Sequence, residues 1–357
     1  MRVALDATPL TVSSGGLPRY VTELSIALAR EFPKDTYVLL SDQPFPMPER
    51  TPANLVRGRQ PYSAADRRWW LWGVRGAIRL TGAQVFHGTN FEVPYLGTVP
   101  SLLTIHDLSP WRDPAWHPDL QENAGRVRKR TPWLVRLGRA SMILTVSEAM
   151  RQEIISHFGV KPERVRAIPL AAAPHFRPLP ITSPPTKPFF LFVATLEPRK
   201  NVPALVEAWR ESRGETGADL VVAGRNRADF AGIAPAEGLY LLGEVPDEQL
   251  PRLYSDALAF VYPTHYEGFG LPVLEAMQCG CPVITSRDPA VMEVSGNAAI
   301  HTSSAAEMAE AMRGVAANPR LRNLLSGCGL ERARAFSWAR TARETRALYA
   351  ELLGVRE

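Results

Sequence analysis

Two glutamates, Glu267 and Glu275, stand eight positions apart around a loop that contains Gly268 and Gly270. A predicted strand precedes this loop, and a predicted helix begins near Leu271. Glycines let backbone N–H groups approach a ligand closely, and the N-terminus of a helix favours an anion. Glu275 would lie about one turn into the helix, where its carboxylate can accept hydrogen bonds from a diol. The segment therefore predicts a site for a nucleoside diphosphate and its ribose, with Glu267 close to hydroxyls of a transferred group.

The string Glu267-Gly-Phe-Gly-Leu-Pro-Val-Leu-Glu275 resembles the signature of retaining glycosyltransferase family 4, which has the GT-B fold. The resemblance implies that Glu275 binds the ribose of a nucleotide-sugar donor and that Glu267 lies beside the donor sugar. It also implies that the loop amides hold phosphate and sugar, so the donor site would include Gly268, Phe269, Gly270 and Leu271. The alternative interpretation is a capped core helix whose acidic residues face solvent.

Arg199 and Lys200 are the cations best placed to bind such a donor. They follow the first predicted strand of the second half of the chain, in Glu197-Pro-Arg199-Lys200-Asn201, and precede a predicted helix. Arginine can bind phosphate oxygens with two parallel hydrogen bonds, and lysine acts as a point charge. The pair resembles the family's Arg-Lys motif for the donor diphosphate, which stabilises charge on the departing nucleotide. We therefore predict catalysis without a metal, and the sequence has no Asp-x-Asp motif.

In the first half of the chain, His106 and Asp107 directly follow a predicted strand, where side chains of α/β proteins face a ligand cleft. Similar members of the family place a histidine here, in contact with the donor sugar. We therefore predict that His106 helps to position the reacting centre. Asp107 could orient His106 or accept a hydrogen bond from the acceptor. Asp6 and His87 also end predicted strands, and we assign them to the acceptor side.

Two glycine turns complete the predicted donor site. Gly15 and Gly16 lie between a strand and a helix and resemble the family's first-domain glycine loop, although Leu17-Pro18 stands where relatives often carry Ile-Gly. Gly224 resembles a strand end close to the nucleotide. The residues after Gly224 do not separate uracil from guanine as the base.

Short apolar runs alternate with amphipathic segments along the whole chain. Such alternation indicates parallel sheets covered by helices on both faces. We predict an α/β protein of the GT-B type, with two Rossmann-like domains whose parallel sheets face a central cleft. The predicted parts are an acceptor-side domain at 1–176, a proline-rich linker at 177–187, a donor domain at 188–335 and a C-terminal helix at 336–357. By resemblance, that last helix crosses back to the first domain.

The composition indicates which class of ligand the protein binds and in which cellular compartment it is found. The 357 residues carry 41 Lys+Arg against 36 Asp+Glu, and this net charge of +5 fits an anionic ligand or an acidic membrane surface rather than nucleic acid. Three cysteines argue against a disulfide framework and for a reducing compartment. No stretch approaches the roughly 20 apolar residues of a membrane-spanning helix. We expect a cytoplasmic protein without a cofactor, because the nucleotide sugar is a substrate.

Two stretches pair basic residues with tryptophans, at residues 67–72 and 125–136. Both fit a face that lies on anionic lipid, at the inner side of the membrane. Two ordinary amphipathic helices in an arginine-rich protein explain the same pattern, and we slightly prefer that interpretation.

The resemblance implies a retaining transfer of a hexose-type sugar from a nucleoside-diphosphate sugar to a hydroxyl of a glycan or lipid-linked acceptor. Front-face attack is the usual assignment for such enzymes, whereas a double displacement would need a nucleophilic carboxylate, for which Glu267 is the candidate. Two other functions use the same donor site. One is a GT-B sugar-nucleotide epimerase, which needs no acceptor. The other is a non-catalytic partner subunit that binds nucleotide sugar without turnover.

Overall fold

The structure is a computed structural model, and it forms two compact units. It describes residues 1–12, 15–58, 68–97, 99–113, 116, 121–180, 187–227, 230 and 232–355, apart from the side chains of 121–124. Unit 1 comprises Met1–Trp111, Leu120–Leu170 and Ser337–Glu357, and unit 2 comprises Arg112–Asp119 and Ala171–Phe336.

Unit 1 is built on a seven-stranded sheet in which all neighbouring strands are parallel, in the order β3-β2-β1-β4-β5-β6-β7. The order along the chain reverses between the neighbours β1 and β4, and in open α/β sheets ligands bind at the carboxyl ends of the strands at such a point. The strands are β1 (Arg2–Asp6), β2 (Thr36–Leu40), β3 (Leu55–Arg57), β4 (Val85–Gly88), β5 (Ser101–Ile105), β6 (Met142–Thr145) and β7 (Val165–Ala167).

In the described part of unit 1, five helices accompany this sheet: α1 (Gly16–Glu31), α2 (Val74–Thr81), α3 (Gln121–Arg136), α4 (Glu148–Phe158) and α11 (Trp338–Leu353). A short π-helix, Trp69–Gly73, leads into α2. The last helix, α11, packs along α1. The ion pair between Arg346 and Asp35, at 2.8 Å, joins this helix to the turn after α1.

Unit 2 has a six-stranded parallel sheet in the order β10-β9-β8-β11-β12-β13, and its order along the chain reverses between β8 and β11. The strands are β8 (Phe189–Val193), β9 (Asp219–Ala223), β10 (Leu239–Gly243), β11 (Ala259–Tyr262), β12 (Val283–Ser286) and β13 (Ile300–Thr302). The helices are α5 (Val202–Thr216), α6 (Leu250–Asp256), α7 (Leu271–Gln278), α8 (Pro289–Ser295), α9 (Ala305–Ala317) and α10 (Pro319–Ala333). Two parallel α/β sheets confirm the predicted fold class.

The units divide the chain at places other than the predicted domain bounds. Residues 171–176, which we placed in the first domain, lie in unit 2, as does the short segment Arg112–Asp119. Residues 181–186 of the predicted linker lie outside the described residues. The described start of that linker belongs to unit 2, where the Leu179 amide donates to Ser255 Oγ at 3.1 Å. None of the helices in the described parts of the chain combines the length and apolar composition needed to cross a membrane.

Candidate functional site

The point where the strand order of unit 2 reverses brings the two predicted donor motifs together. Arg199 and Lys200 follow β8, and Glu267 follows β11, the neighbouring strand. Lys200 Nζ donates to Glu267 Oε1, and Arg199 Nη1 lies 3.3 Å from Glu267 Oε2. Parallel strands end at the same edge of a sheet, so residues 67 and 68 positions apart in the chain meet there.

Backbone geometry fixes both loops. Pro198–Lys200 forms a single 3-10 turn, and Asn201 ends it with a positive φ of 54° before α5 begins. The His265 amide donates to the Arg199 carbonyl at 2.8 Å, which ties the second loop to the first. The cations are therefore held by backbone hydrogen bonds and not by their side chains alone.

Neighbouring cations keep Glu267 ionised although the side chain is buried. Its side chain is 9% exposed and that of Lys200 is 7% exposed. Burial by itself would raise the pKa of Glu267, but the Lys200 ammonium and the Arg199 guanidinium outweigh it and lower the pKa to about 2. The Tyr262 hydroxyl donates to the same carboxylate at 2.8 Å. The site thus contains a preformed carboxylate whose charge is shared between two cations.

Glu197 and Arg227 extend this pair into a chain of alternating charges. Glu197 Oε1 lies 2.6 Å from Arg199 Nε, and Glu197 Oε2 lies 2.8 Å from Arg227 Nη1. With Lys200 and Glu267, the cluster holds three cations and two carboxylates, so it keeps one positive charge in excess. We call these five residues the charge cluster. An excess of positive charge in a partly buried site favours an anionic ligand.

Arg227 was not among the predicted site residues, although it follows β9, the strand beside β8. Its only signal in the sequence was a position three residues beyond Gly224, which we had assigned to the donor site. Arg227 also donates to the carbonyl of Trp116. The Trp116 ring stacks on Tyr266 at 5.8 Å, and the Arg112 guanidinium lies 4.9 Å from the Tyr266 ring. Arg112 and Trp116 therefore pack against the loop that carries Glu267, within unit 2.

Asp288, which was not among the predicted site residues either, supports the same loop from beyond the end of β12. Its Oδ2 accepts the Glu267 amide at 3.2 Å, and its Oδ1 accepts the Val291 amide at 3.0 Å, which caps α8. Burial, with the nearby charge of Glu267, raises the pKa of Asp288 to about 6. The available signal was an Asp-Pro pair at a helix start, which predicts a cap but not a contact 21 positions away.

The glycine loop reaches α7 as predicted. Gly270 has a φ of 97° and is followed by Leu271, the first residue of the helix. Gly268 precedes Phe269, whose ring packs against Phe336 at 5.9 Å. Glu275 lies in the second turn of α7, but its side chain is buried and accepts a hydrogen bond from the Tyr254 hydroxyl at 3.4 Å. Its predicted contact with a ribose therefore stays a prediction.

Gly224 has a structural reason to be glycine. Its φ is 148°, and a Cβ at this position would lie 1.7 Å from the carbonyl oxygen of Ala194. The ends of β8 and β9 can approach each other only because the side chain is absent. This requirement holds whether or not a nucleotide contacts Gly224.

In unit 1, Asp6 and His106 meet around the loop after β4. The Thr89 hydroxyl donates to the Asp6 carbonyl at 2.9 Å, and His106 Nε2 donates to the Thr89 carbonyl at 2.9 Å. Burial lowers the pKa of His106, so the ring is neutral, and its Nδ1 is then a hydrogen-bond acceptor. Tyr20 packs against this ring edge-on at 4.7 Å. Burial also raises the pKa of Asp6 to about 7, against hydrogen bonds from Thr8.

The structure does not bring every predicted residue of unit 1 to this place. His87 is fully buried, between Thr104 Oγ1 and the Tyr349 hydroxyl at 2.7 Å each, and burial lowers its pKa to about 3. It has no exposed surface for an acceptor, so we withdraw it from the acceptor side. Asp107 accepts the amide and hydroxyl of Ser109 at 2.9 and 2.6 Å, and thus holds its own turn.

The glycine turn of unit 1 is described only in part, since residues 13 and 14 lie outside the described residues. Gly15 has a φ of 117° and precedes Gly16, the first residue of α1. The Arg19 amide donates to the Gly15 carbonyl at 3.3 Å. Within the described parts of the chain, no group of three or more His, Cys, Asp or Glu side chains is arranged to hold a metal ion.

Comparison with known proteins agrees with this architecture. The family model described as Glycosyl transferases group 1 matches residues 180–328, and Glycosyltransferase Family 4 matches residues 14–176. O-antigen chain mannosyltransferase B of Escherichia coli is 33% identical over 294 residues, which are 75% of this chain and 74% of that protein.

Among solved structures, sucrose-phosphate synthase from Thermosynechococcus elongatus is similar over 99% of both chains, with a TM-score of 0.76 and 21% identity. Anabaena HepE (Alr3699), in complex with UDP and glucose, is similar over 98% of this chain and 99% of its own, with a TM-score of 0.68 and 15% identity. These likenesses confirm the predicted GT-B fold. The E. coli relative at 33% identity, together with the two family models, shows that the chain belongs to the family 4 glycosyltransferases.

Proposed function

We propose that this glycosyltransferase moves a hexose-type sugar from a nucleoside-diphosphate sugar to a hydroxyl of a glycan or lipid-linked acceptor, without a metal and with retention of configuration. The observation that carries the proposal is the charge cluster at the carboxyl ends of β8 and β11. It offers an excess positive charge where α/β proteins bind nucleotides. The start of α7 adds backbone N–H groups beside it.

Arg199 and Lys200 are the proposed partners of the diphosphate. Each already pairs with Glu267, so both side chains are ordered before any ligand arrives, and binding then costs little side-chain entropy. As the bond to the sugar breaks, negative charge grows on the leaving diphosphate, and fixed cations stabilise that charge. This provides the electrostatic help that other glycosyltransferases obtain from a metal ion.

The state of Glu267 favours front-face attack over double displacement. A nucleophilic carboxylate must offer an electron pair to the sugar, but both oxygens of Glu267 contact cations and one also accepts from Tyr262. These contacts hold its pKa at about 2 and lower its nucleophilicity. In this proposal Glu267 positions the cations and accepts hydrogen bonds from the sugar, while the leaving phosphate takes the acceptor proton. We assign to His106 Nδ1 the role of accepting a hydrogen bond from a hydroxyl of the sugar.

Mannose is the hexose that we propose first. The E. coli relative at 33% identity is an O-antigen chain mannosyltransferase. By analogy, the proposed donor carries mannose and the proposed acceptor is a growing polysaccharide. Peripheral contact with an anionic membrane is part of the same proposal, because lipid-linked acceptors are presented there.

A ligand-stabilisation scan tests the donor site. UDP, GDP, dTDP and ADP and their sugar conjugates would be added with EDTA to wild type, Lys200→Met and Glu275→Gln. A ligand at 100 times its Kd stabilises the native state by about 2.7 kcal/mol. We expect one nucleotide to raise the melting temperature of wild type and to do so much less in both variants. Lys161→Met, which removes an exposed lysine of unit 1, is the matched control.

Transfer itself is tested with the stabilising sugar nucleotide and candidate acceptors. Retention is read from the C1–H1 coupling constant of the product by NMR. Conversion of the donor into an isomer of its sugar, in the absence of any acceptor, would identify an epimerase instead. Binding without turnover would support the partner-subunit function. No stabilisation of the folded wild type by any nucleotide would refute the donor site.

A further inference from the structure

A cavity of about 490 Å³ opens near the amino ends of the unit 1 strands. Asp6 and His106 lie at the other ends of the strands. It lies beside α2 and the segments that lead into β4 and β5, and its lining includes Arg75, Arg79, Gly82, Gly97 and Val99. These segments enter the amino ends of the strands, whereas Asp6 is the last residue of β1 and His106 directly follows β5. The cavity is therefore separate from the residues that we assigned to the glycosyl transfer.

Two arginines line this cavity and a third reaches its wall at Gly97, and none of the three has an acidic partner among the described residues. Arg75 and Arg79 come from α2, and Arg139 comes from the turn before β6. Arg139 Nη1 would lie 3.8 Å from a Cβ built on Gly97, so it reaches the cavity wall. The Nε atoms of Arg75 and Arg139 are buried, and neither has a hydrogen-bond acceptor in the described parts of the chain.

Buried N–H groups without acceptors point to an absent anion. Leaving one unpaired costs about 1–3 kcal/mol, more for a charged group. Arg75 lines the cavity, and the Arg139 side chain reaches Gly97 in its wall. Open glycines let a ligand approach the backbone of the wall, since a Cβ on Gly82 would meet no atom within 4 Å. The guanidinium fork matches the geometry of phosphate oxygens.

We propose that Arg75, Arg79 and Arg139 form a phosphate-binding site on unit 1, distinct from the donor site. The favoured source of the phosphate is a lipid headgroup, because large apolar side chains flank the arginines in the chain and are exposed. Leu80 follows Arg79 and is 70% exposed, and Leu137 precedes Arg139 by two residues and is 55% exposed. Apolar side chains beside arginines suit the boundary between headgroups and acyl chains. The site does not depend on which sugar is transferred.

The test compares two charge-matched double variants. Arg75→Gln/Arg139→Gln removes two of the proposed ligands, and Arg30→Gln/Arg320→Gln removes two exposed arginines elsewhere. Each is mixed with vesicles of phosphatidylcholine alone or with added phosphatidylglycerol, and the sedimented fraction is measured. An arginine at an anionic surface contributes about 1 kcal/mol, and 1.4 kcal/mol is tenfold. We therefore expect the first pair to lower the partition coefficient about 30-fold and the control pair to leave it unchanged.

A second arm distinguishes a lipid from a free phosphate. Inorganic phosphate, compared with chloride at equal ionic strength, should raise the melting temperature of wild type and of the control pair more than that of Arg75→Gln/Arg139→Gln. Phosphate stabilisation without vesicle binding would support the site with a soluble phosphate as its ligand. Arg79→Gln, at an exposed position, gives a variant whose folding is not in question and should weaken both effects.

Equal behaviour of the two double variants in both arms would overturn the proposal. So would a wild type that neither binds the anionic vesicles nor responds to phosphate. Stabilisation by the donor nucleotide should persist in Arg75→Gln/Arg139→Gln, so a failure here is distinguishable from a failure of the proposed donor site.

Discussion

Asp288 holds two backbone amides at once, those of Glu267 and Val291, and thereby joins the glutamate of the charge cluster to the start of α8. Its raised pKa means that the native protein binds a proton at this carboxyl more tightly than the unfolded chain does. The contribution of Asp288 to the free energy of unfolding is therefore largest at low pH. It falls as the pH rises from about 4, through the ordinary pKa, to about 6.

We predict that Asp288→Asn removes this pH dependence. One pKa unit corresponds to 1.36 kcal/mol, so the variant should gain about 2 kcal/mol relative to wild type between pH 4 and pH 7. Urea unfolding at both pH values measures the difference. Asp42→Asn, at an exposed carboxylate, is the control and should show no such gain. A difference between Asp288→Asn and wild type that is the same at both pH values would contradict the prediction.

Whether a site residue could be identified from the sequence depends on how its contacts are made. Arg199, Lys200 and Glu267 could be found from the sequence, because each lies in a compact motif at a strand end. Arg227 and Asp288 could not, because their roles arise from neighbours in the sheet and not from neighbours in the chain. The burial of His87 was equally hidden, since a histidine at a strand end has the same sequence pattern whether a helix covers it or not.

At the scale of elements, the ends of β8, β9 and β10 meet through two glycines with positive φ. Gly224 donates its amide to the Gly243 carbonyl at 2.7 Å. A Cβ on Gly224 would collide with the Ala194 carbonyl, whereas a Cβ on Gly243 would meet no atom within 4 Å. Alanine substitutions at the two positions therefore distinguish the cost of a backbone clash from the cost of a left-handed conformation alone.

We predict that Gly224→Ala lowers the free energy of unfolding by more than 3 kcal/mol, because β8 and β9 must move apart. Gly243→Ala should cost about 1 kcal/mol, the usual cost of a left-handed backbone for a residue with a Cβ. Chemical denaturation of the two variants measures both values. Similar losses for the two would show that the approach of Ala194 to Gly224 is not needed for stability.

The element boundaries show what apolar patterning can and cannot predict. The sequence pattern predicts strands at Asp219–Ala223 and Ala259–Tyr262, and β9 and β11 have these bounds, because each is a short and largely apolar run. β3, β7 and β13 were not predicted, since each has three residues and only one of them is buried. Strands that short are defined by pairing to a neighbour, which leaves no periodicity to detect.

At the scale of the whole molecule, unit 1 is completed by a helix that follows unit 2 in the chain. The Tyr349 hydroxyl of α11 contacts His87 Nδ1 at 2.7 Å, and Thr104 Oγ1 joins His87 to the Tyr20 hydroxyl at 3.0 Å. This buried network connects α11, β4, β5 and α1. Tyr20 also packs on His106, so the last helix supports a residue of the proposed site from behind.

We predict that Tyr349→Phe destabilises the protein by about 1–3 kcal/mol, because it leaves a buried nitrogen of His87 without its partner. Tyr240→Phe, at a half-exposed tyrosine of unit 2, should change stability by less than about 0.5 kcal/mol. Thermal unfolding followed by circular dichroism compares them. Equal stability of the two variants would mean that water or another donor replaces the Tyr349 hydroxyl.

The place of α11 in the chain also has a consequence for biosynthesis. The ribosome makes every residue of unit 2 before it makes α11, so unit 2 has its full sequence while unit 1 still lacks the helix that covers α1. During that interval the side of α1 that packs against α11 is uncovered. The nascent chain then has the complete sequence of unit 2 but an incomplete unit 1, and chaperones can bind the exposed apolar surface of unit 1.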